Sequence, residues 1–186
     1  MGMPAQNVRW TAEMARALPD DGKRYEVLDG ELFVSPAPGF NHQRVVFRLA
    51  RILDDYARAH KLGEVFIAPA DLEFSPGRLL QPDVFVIPPT PGRRPQSFHD
   101  VGRLLLSAEI LSPATARAVR IQKRDILCDE RVPEYWIVDA DARAFERWTP
   151  EDARPEVLST TITWQPDEHV SPLVIELPHF FADALD

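Results

Sequence analysis

The sequence predicts a mixed α+β fold, a central mixed sheet flanked by helices, and three observations carry that expectation. Residues 79–87 and 104–111 form two short runs that are apolar at most successive positions, as strands buried on both faces are. Val45, Val46, Leu49, Ile52, Leu53 and Tyr56 keep the 3.6-residue period of an amphipathic helix. The order strand, strand, helix, strand over the middle of the chain then places a sheet under helical cover.

From the start, Thr11 can cap a short helix carrying Met14 and Leu18, which the Pro19-Asp20-Asp21-Gly22 turn ends. Residues 25–28 and 32–35 flank Asp29-Gly30, a strong hairpin signal, and read as two strands. After Pro36-Ala37-Pro38-Gly39, Asn41 is a candidate N-cap for the amphipathic helix, which should end near Gly63. Strands are expected at about 64–74, 79–87 and 104–111. Residues 88–103, with four prolines and three arginines, are too broken for regular structure, and so long a loop in a compact domain is more often functional than decorative. Thr115 opens a helix running to about Arg131, Glu134 to Val138 read as a strand, and Thr161-Ile162-Thr163-Trp164 and Leu173 to Leu177 as peripheral strands before a C-terminal turn. The expected organisation is one domain over 1–186: a helix and hairpin in 1–40, a core in 41–139 and peripheral strands in 140–186.

Composition narrows the function classes. At 186 residues and 45% hydrophobic content the chain buries about two-thirds of its unfolded surface. No apolar run approaches the roughly 20 residues of a membrane span, and Met1 to Asn7 have neither a basic start nor an apolar stretch, so a cytoplasmic protein without a secretory signal is expected. One cysteine, Cys128, excludes an internal disulfide and a cysteine zinc site, and reads as a small core residue. The net charge of -8 disfavours a uniformly basic, non-specific nucleic-acid binder. A local basic face remains, because Arg117, Arg120, Lys123 and Arg124 share a helix at close spacing. That face is either a solvated flank or a set of phosphate contacts.

The two apolar runs each hold one acid, Asp83 and Glu109. An unpartnered carboxylate in a buried strand costs several kcal/mol even after relaxation, so a compensating cation is required. Lys123 is one candidate, a shared divalent ion the other, and the two are compatible. Strand alternation puts Asp83 with Phe85 and Ile87, and Glu109 with Leu111; if the strands are neighbours, the carboxylates converge. Two hard oxygen ligands with room for water suit Mg2+ or Mn2+, and such an ion suits phosphate-ester hydrolysis beside a lysine ammonium.

Gln81-Pro82-Asp83, Ala108-Glu109-Ile110-Leu111-Ser112-Pro113, Thr115, Lys123 and Val132 to Asp139 together resemble the signature of the Uma-type restriction-endonuclease family, a branch of the PD-(D/E)XK nuclease superfamily. The likeness extends upstream to Arg24 to Leu32 and His42 to Val46, and so covers most of the chain. It implies a restriction-endonuclease-like core with Asp83 and Glu109 as metal ligands and Lys123 as the catalytic lysine. The superfamily's usual lysine position, two residues after the second acid, is Leu111 here, and in this branch the lysine has moved to the following helix. Two departures stand out: Val119 where members often carry an acid, and Leu127 where they carry a tyrosine.

Other residues carry open readings. Glu31 is an accessory site residue or a solvated strand end, His42 a metal or phosphate contact or a helix-end hydrogen bond, and Asp71 a third carboxylate or a turn residue. His60, His99, His169 and His179 lack metal-ligand spacing, and no nucleophile elbow, phosphate-binding glycine loop or dinucleotide fingerprint is present. Trp136 and Trp148 read as core aromatics. The leading expectation is a Mg2+- or Mn2+-dependent endonuclease hydrolysing DNA phosphodiesters. The alternatives are a non-catalytic nuclease-fold protein that binds nucleic acid or a protein partner, and a phosphoesterase of small molecules. A two-fold homodimer is the default assembly for a chain of this size.

Overall fold

Pro69 and Pro82 decide the architecture, because each interrupts a stretch that the sequence pattern reads as one strand. Proline has no N–H to donate to a ladder, and at both places the chain leaves one sheet for another. The computed structural model describes residues 8–90, 96–98 and 101–186. The start of the chain and much of the proline- and arginine-rich stretch, including Pro91, Arg93, Arg94, Pro95 and His99, lie outside the described residues.

A short helix α1 (Ala12–Arg16), capped by the Thr11 hydroxyl accepting from Met14 N–H, precedes the hairpin β1 (Arg24–Leu28) and β2 (Glu31–Ser35). Asp29 and Gly30 turn that hairpin at φ 51° and 88°, the left-handed pair an Asp-Gly turn supplies. Helix α2 (Phe40–His60) starts at an N-cap of Gly39, two residues before the expected cap Asn41, and ends at Lys61 in the left-handed region. The expected 64–74 strand is two, β3 (Glu64–Ile67) and β4 (Leu72–Ser75); the 79–87 strand is also two, β5 (Arg78–Leu80) and β6 (Val84–Ile87). β7 (Leu106–Ile110) is followed by α3 (Ala116–Ala118), a π-helical turn over Val119–Lys123 and α4 (Arg124–Asp129). β8 (Tyr135–Asp139), β9 (Ala144–Trp148), β10 (Glu156–Leu158), β11 (Thr161–Trp164) and β12 (Leu173–Glu176) lead to α5 (Leu177–Leu185). The C-terminal turn expected from sequence is thus a nine-residue helix, and β9 and β10 were not legible as strands.

The main sheet runs β10-β9-β8-β7-β6-β3, the second β2-β1-β5-β4, and β11-β12 form a hairpin. Only β7 and β8 pair in parallel; a parallel neighbour needs a crossover, which the helical segment 116–129 provides. β6 alternates between two cores, which explains its unbroken apolarity: Val84 and Val86 pack with α2, α5, Trp136 and Phe145 on one face. Phe85 and Ile87 pack on the other with Leu28 and Leu80 of the second sheet and Val119, Ile126 and Leu127 of the crossover. Trp136 and Trp148 are buried as expected. Cys128 is only half-buried, with its thiol toward Thr149 O at 3.9 Å, so it is not a core residue. Gly63, at φ 139°, seats β3 against β6: a Cβ there would lie 1.8 Å from Ile87 O. Among the described residues no helix is long and apolar enough to cross a membrane.

Trp136 is fully buried beneath Phe145 and Trp164, edge-on to both at 5.9 and 6.4 Å. Trp136→Ala therefore leaves a large void and lowers stability by about 3–5 kcal/mol, to be read as a fall in the urea midpoint followed by circular dichroism.

Candidate functional site

The two sheets meet where β5 hands over to β6, and Gln81-Pro82-Asp83 is that handover. The pairing of β6 with β7 matches Val84 to Ala108, so one step further Asp83 stands opposite Glu109. The register thus sets the two acids across from one another on neighbouring strands, the condition the sequence reading placed on their meeting. Both are buried, each 2% exposed.

Asp83 is gripped from three sides. Its Oδ1 accepts from Arg24 Nη1 at 2.6 Å, and its Oδ2 accepts from Ile110 N–H at 2.9 Å and lies 3.0 Å from His42 Nε2. Glu109 Oε1 accepts from Lys123 Nζ at 2.7 Å, and the same ammonium reaches Glu26 Oε1 at 2.9 Å. Glu26, on β1 and fully buried, also accepts from Gln81 N–H at 2.7 Å. The lysine gets there from the π-helical turn, a form of helix frequent at functional sites, and the buried Tyr135 hydroxyl donates to Val119 O within that turn at 3.2 Å.

This arrangement sets the charges. Burial pushes the Asp83 carboxyl up, but the His42 hydrogen bond and the charges of His42, Arg24 and Lys123 outweigh it and hold the group at about 2. Burial dominates at Glu109, and the neighbouring acids Asp83 and Glu26 add to it, so its pKa rises to about 8 against the pull of Lys123. For Lys123 burial favours the neutral amine, yet Glu109 and Glu26 together raise its pKa and keep it an ammonium.

Of the other residues singled out from sequence, His42 joins the cluster. Asp71 lies at its rim, accepting from Gln81 Nε2 at 2.8 Å and paired with Arg16 at 3.3 Å. Glu31 is exposed at the start of β2, 3.3 Å from Gln122 Nε2. Arg120 is held by Glu146 at 2.6 Å and Asp139 at 3.1 Å, and Arg124 lies over the Trp148 ring at 4.8 Å and pairs with Asp125. Arg117 is exposed on α3. Val119 and Leu127 are buried in the inter-sheet core, so Lys123 takes its second acid from β1 rather than from its own helix. Arg24, Glu26 and Gln81 are the members that sequence reasoning assigned no role. Glu26 gave the same signal as the other two acids, a carboxylate inside a short apolar strand.

Among the described residues no group of three or more His, Cys, Asp and Glu side chains is gathered as a metal-holding cluster. The donor chemistry nonetheless fits a hard divalent ion completed by water. Asp83 and Glu109 occupy opposed positions on neighbouring strands, and two further oxygens, Glu26 Oε2 and Gln81 Oε1, are buried with no hydrogen-bond partner among the described residues.

The fold places the chain in a nuclease-like α+β class. It superimposes on the crystal structure of a putative nuclease belonging to DUF820 from Anabaena variabilis with a TM-score of 0.78 at 16% identity, over 94% of this chain and 99% of that one. The family model Uma2, described as "Putative restriction endonuclease", matches residues 12–180, and the chain belongs to that family. Among proteins with curated descriptions none matches.

A carboxyl whose pKa is raised on folding keeps a proton that the unfolded chain has already released, so stability falls as pH rises from about 4.5 toward about 8. Glu109→Gln removes that titration. Urea unfolding between pH 5 and pH 8 should show a downward slope in the wild type and a flatter one in the variant.

Proposed function

We propose that the protein is a Mg2+- or Mn2+-dependent endonuclease that hydrolyses DNA phosphodiesters at the seam between its two sheets. One observation carries this reading: two acids opposed across neighbouring strands with a buried ammonium 2.7 Å from one of them. Membership of the Uma2 family supports it. Asp83 and Glu109 would hold the ion. Once bound, it would polarise a phosphoryl oxygen and lower the pKa of water.

The chain's own groups supply the rest. Ile110 N–H and His42 fix the Asp83 carboxylate in one orientation, so the acid is held in place before substrate arrives. Glu26 and Glu109 hold Lys123 in its charged form, and a compact ammonium beside the acids stabilises negative charge growing on the phosphoryl group. The lysine is placed by two carboxylates, so its direction does not depend on the acid that Val119 replaces. Arg117 is the exposed cation of the crossover that could meet the DNA backbone; Arg120 and Arg124 have partners within the chain. The protein would act in the cytoplasm, as a single domain and as a two-fold homodimer, the commonest closed assembly of soluble chains.

Asp83→Ala and Glu109→Ala should each abolish cleavage of supercoiled plasmid in Mn2+, and Lys123→Met should lower the rate by about 10²-fold or more. Circular dichroism identifies variants that remain folded. Retained cleavage in folded Asp83→Ala and Glu109→Ala overturns the assignment. A wild type that takes up no Mn2+ in calorimetry favours instead a nuclease-fold protein that binds without turnover.

A further inference from the structure

Beside Asp83 opens a cavity of about 460 Å3 whose walls differ in chemistry. Lys23, Arg24, His42 and Gln81 make one side polar, with Asp20 and Asp83 as the acids that face the two cations, while Pro38 and Pro69 contribute apolar surface. The amino end of α2 also reaches it. Gly39 brings no side chain to cap that helix, and the first intrahelical bond runs from Gln43 N–H to Gly39 O. The amides of Phe40, Asn41 and His42 therefore stand at a positive helix end without a side-chain acceptor. Arg24 Nε and His42 Nδ1 are buried with no hydrogen-bond partner among the described residues. Both side chains lean instead on one carboxylate, that of Asp83.

We propose that Arg24, His42 and the amino end of α2 form a phosphate cradle, and that Asp83 is the internal anion that keeps Arg24 occupied until its own charge is neutralised. The inference rests on the nuclease reading and specifies how the substrate is held there: a nucleotide's phosphate against Arg24 and the helix end, its sugar and base along the proline-lined wall. A guanidinium fork matches two phosphate oxygens as well as it matches a carboxylate, so Asp83 and a phosphate compete for the same group. With the Asp83 charge neutralised, Arg24 would be free to meet a phosphate in the cavity it already lines. Arg24 is then a binding residue for the substrate as well as the partner of Asp83.

The test needs no metal and no turnover. Thymidine 5′-monophosphate is titrated in EDTA into the wild type, Asp83→Asn, and the double variant Asp83→Asn/Arg24→Gln, with unphosphorylated thymidine as the control ligand. The double variant removes both members of the pair and so leaves neither charge unpartnered. Asp83→Asn should bind the nucleotide about tenfold more tightly than the wild type, the worth of one charge-assisted hydrogen bond, and the double variant should lose that gain. Lys23→Ala, at a half-exposed site, should weaken binding in the Asp83→Asn background. Equal affinity in Asp83→Asn and the double variant, or equal affinity for thymidine and its monophosphate, overturns the cradle. The expected affinity order in a protein that cleaves no DNA upholds the cradle and removes the nuclease reading alone; cleavage without that order does the reverse.

Discussion

A single buried ammonium ties the molecule together. Lys123 is 1% exposed and bridges Glu26 of the second sheet to Glu109 of the main sheet, from a position on the crossover that joins β7 to β8. Three elements therefore depend on one side chain. Removing a buried charge from such a pair costs about 3–5 kcal/mol, because the partners stay behind unpaired. Asp83 repeats the pattern, reaching β1 through Arg24 and β7 through the Ile110 amide. The seam between the sheets is thus held by ionic contacts in its centre and by an apolar cluster of Leu28, Leu80, Phe85 and Leu127 around it.

The same contacts arrange the chemistry. Glu109, pushed up by burial and by the acids Asp83 and Glu26, stands opposite Asp83, which His42, Arg24 and Lys123 hold low, and the difference comes from their surroundings. Asp83 has two nitrogen donors of basic side chains and a backbone N–H, whereas Glu109 shares its lysine with a third carboxylate. Unequal environments of this kind are how two like groups take different roles.

Much of this was legible because burial leaves a mark on sequence. An acid inside an apolar run is costly enough to demand explanation, and that reasoning points from sequence alone to Asp83, Glu109 and Lys123. It stopped short of Glu26 because β1 is brief and begins with Arg24 and Tyr25, which mask its apolar character. Arg24 could not be found by the same route, since an arginine at a strand end is ordinary until the opposing acid is known. Strand boundaries failed at Pro69 and Pro82 for a related reason: periodicity reports that residues are extended and buried but says nothing about which sheet receives them. β9 escaped notice because Glu146 and Arg147 alternate with Phe145 and Trp148 too briefly to stand out, and its charges are spent on Arg120 and Glu134.

The division of the site between two sheets also governs when it can exist. Arg24 finds Asp83 across 59 positions of sequence, Gln81 finds Glu26 across 55, and Lys123 finds Glu109 only after the crossover has emerged. Contacts so remote along the chain form late, after loop-closure entropy has been met by docking of the larger apolar surfaces. A growing polypeptide on the ribosome thus carries Arg24, Glu26, Asp83 and Glu109 long before it has the seam that brings them together.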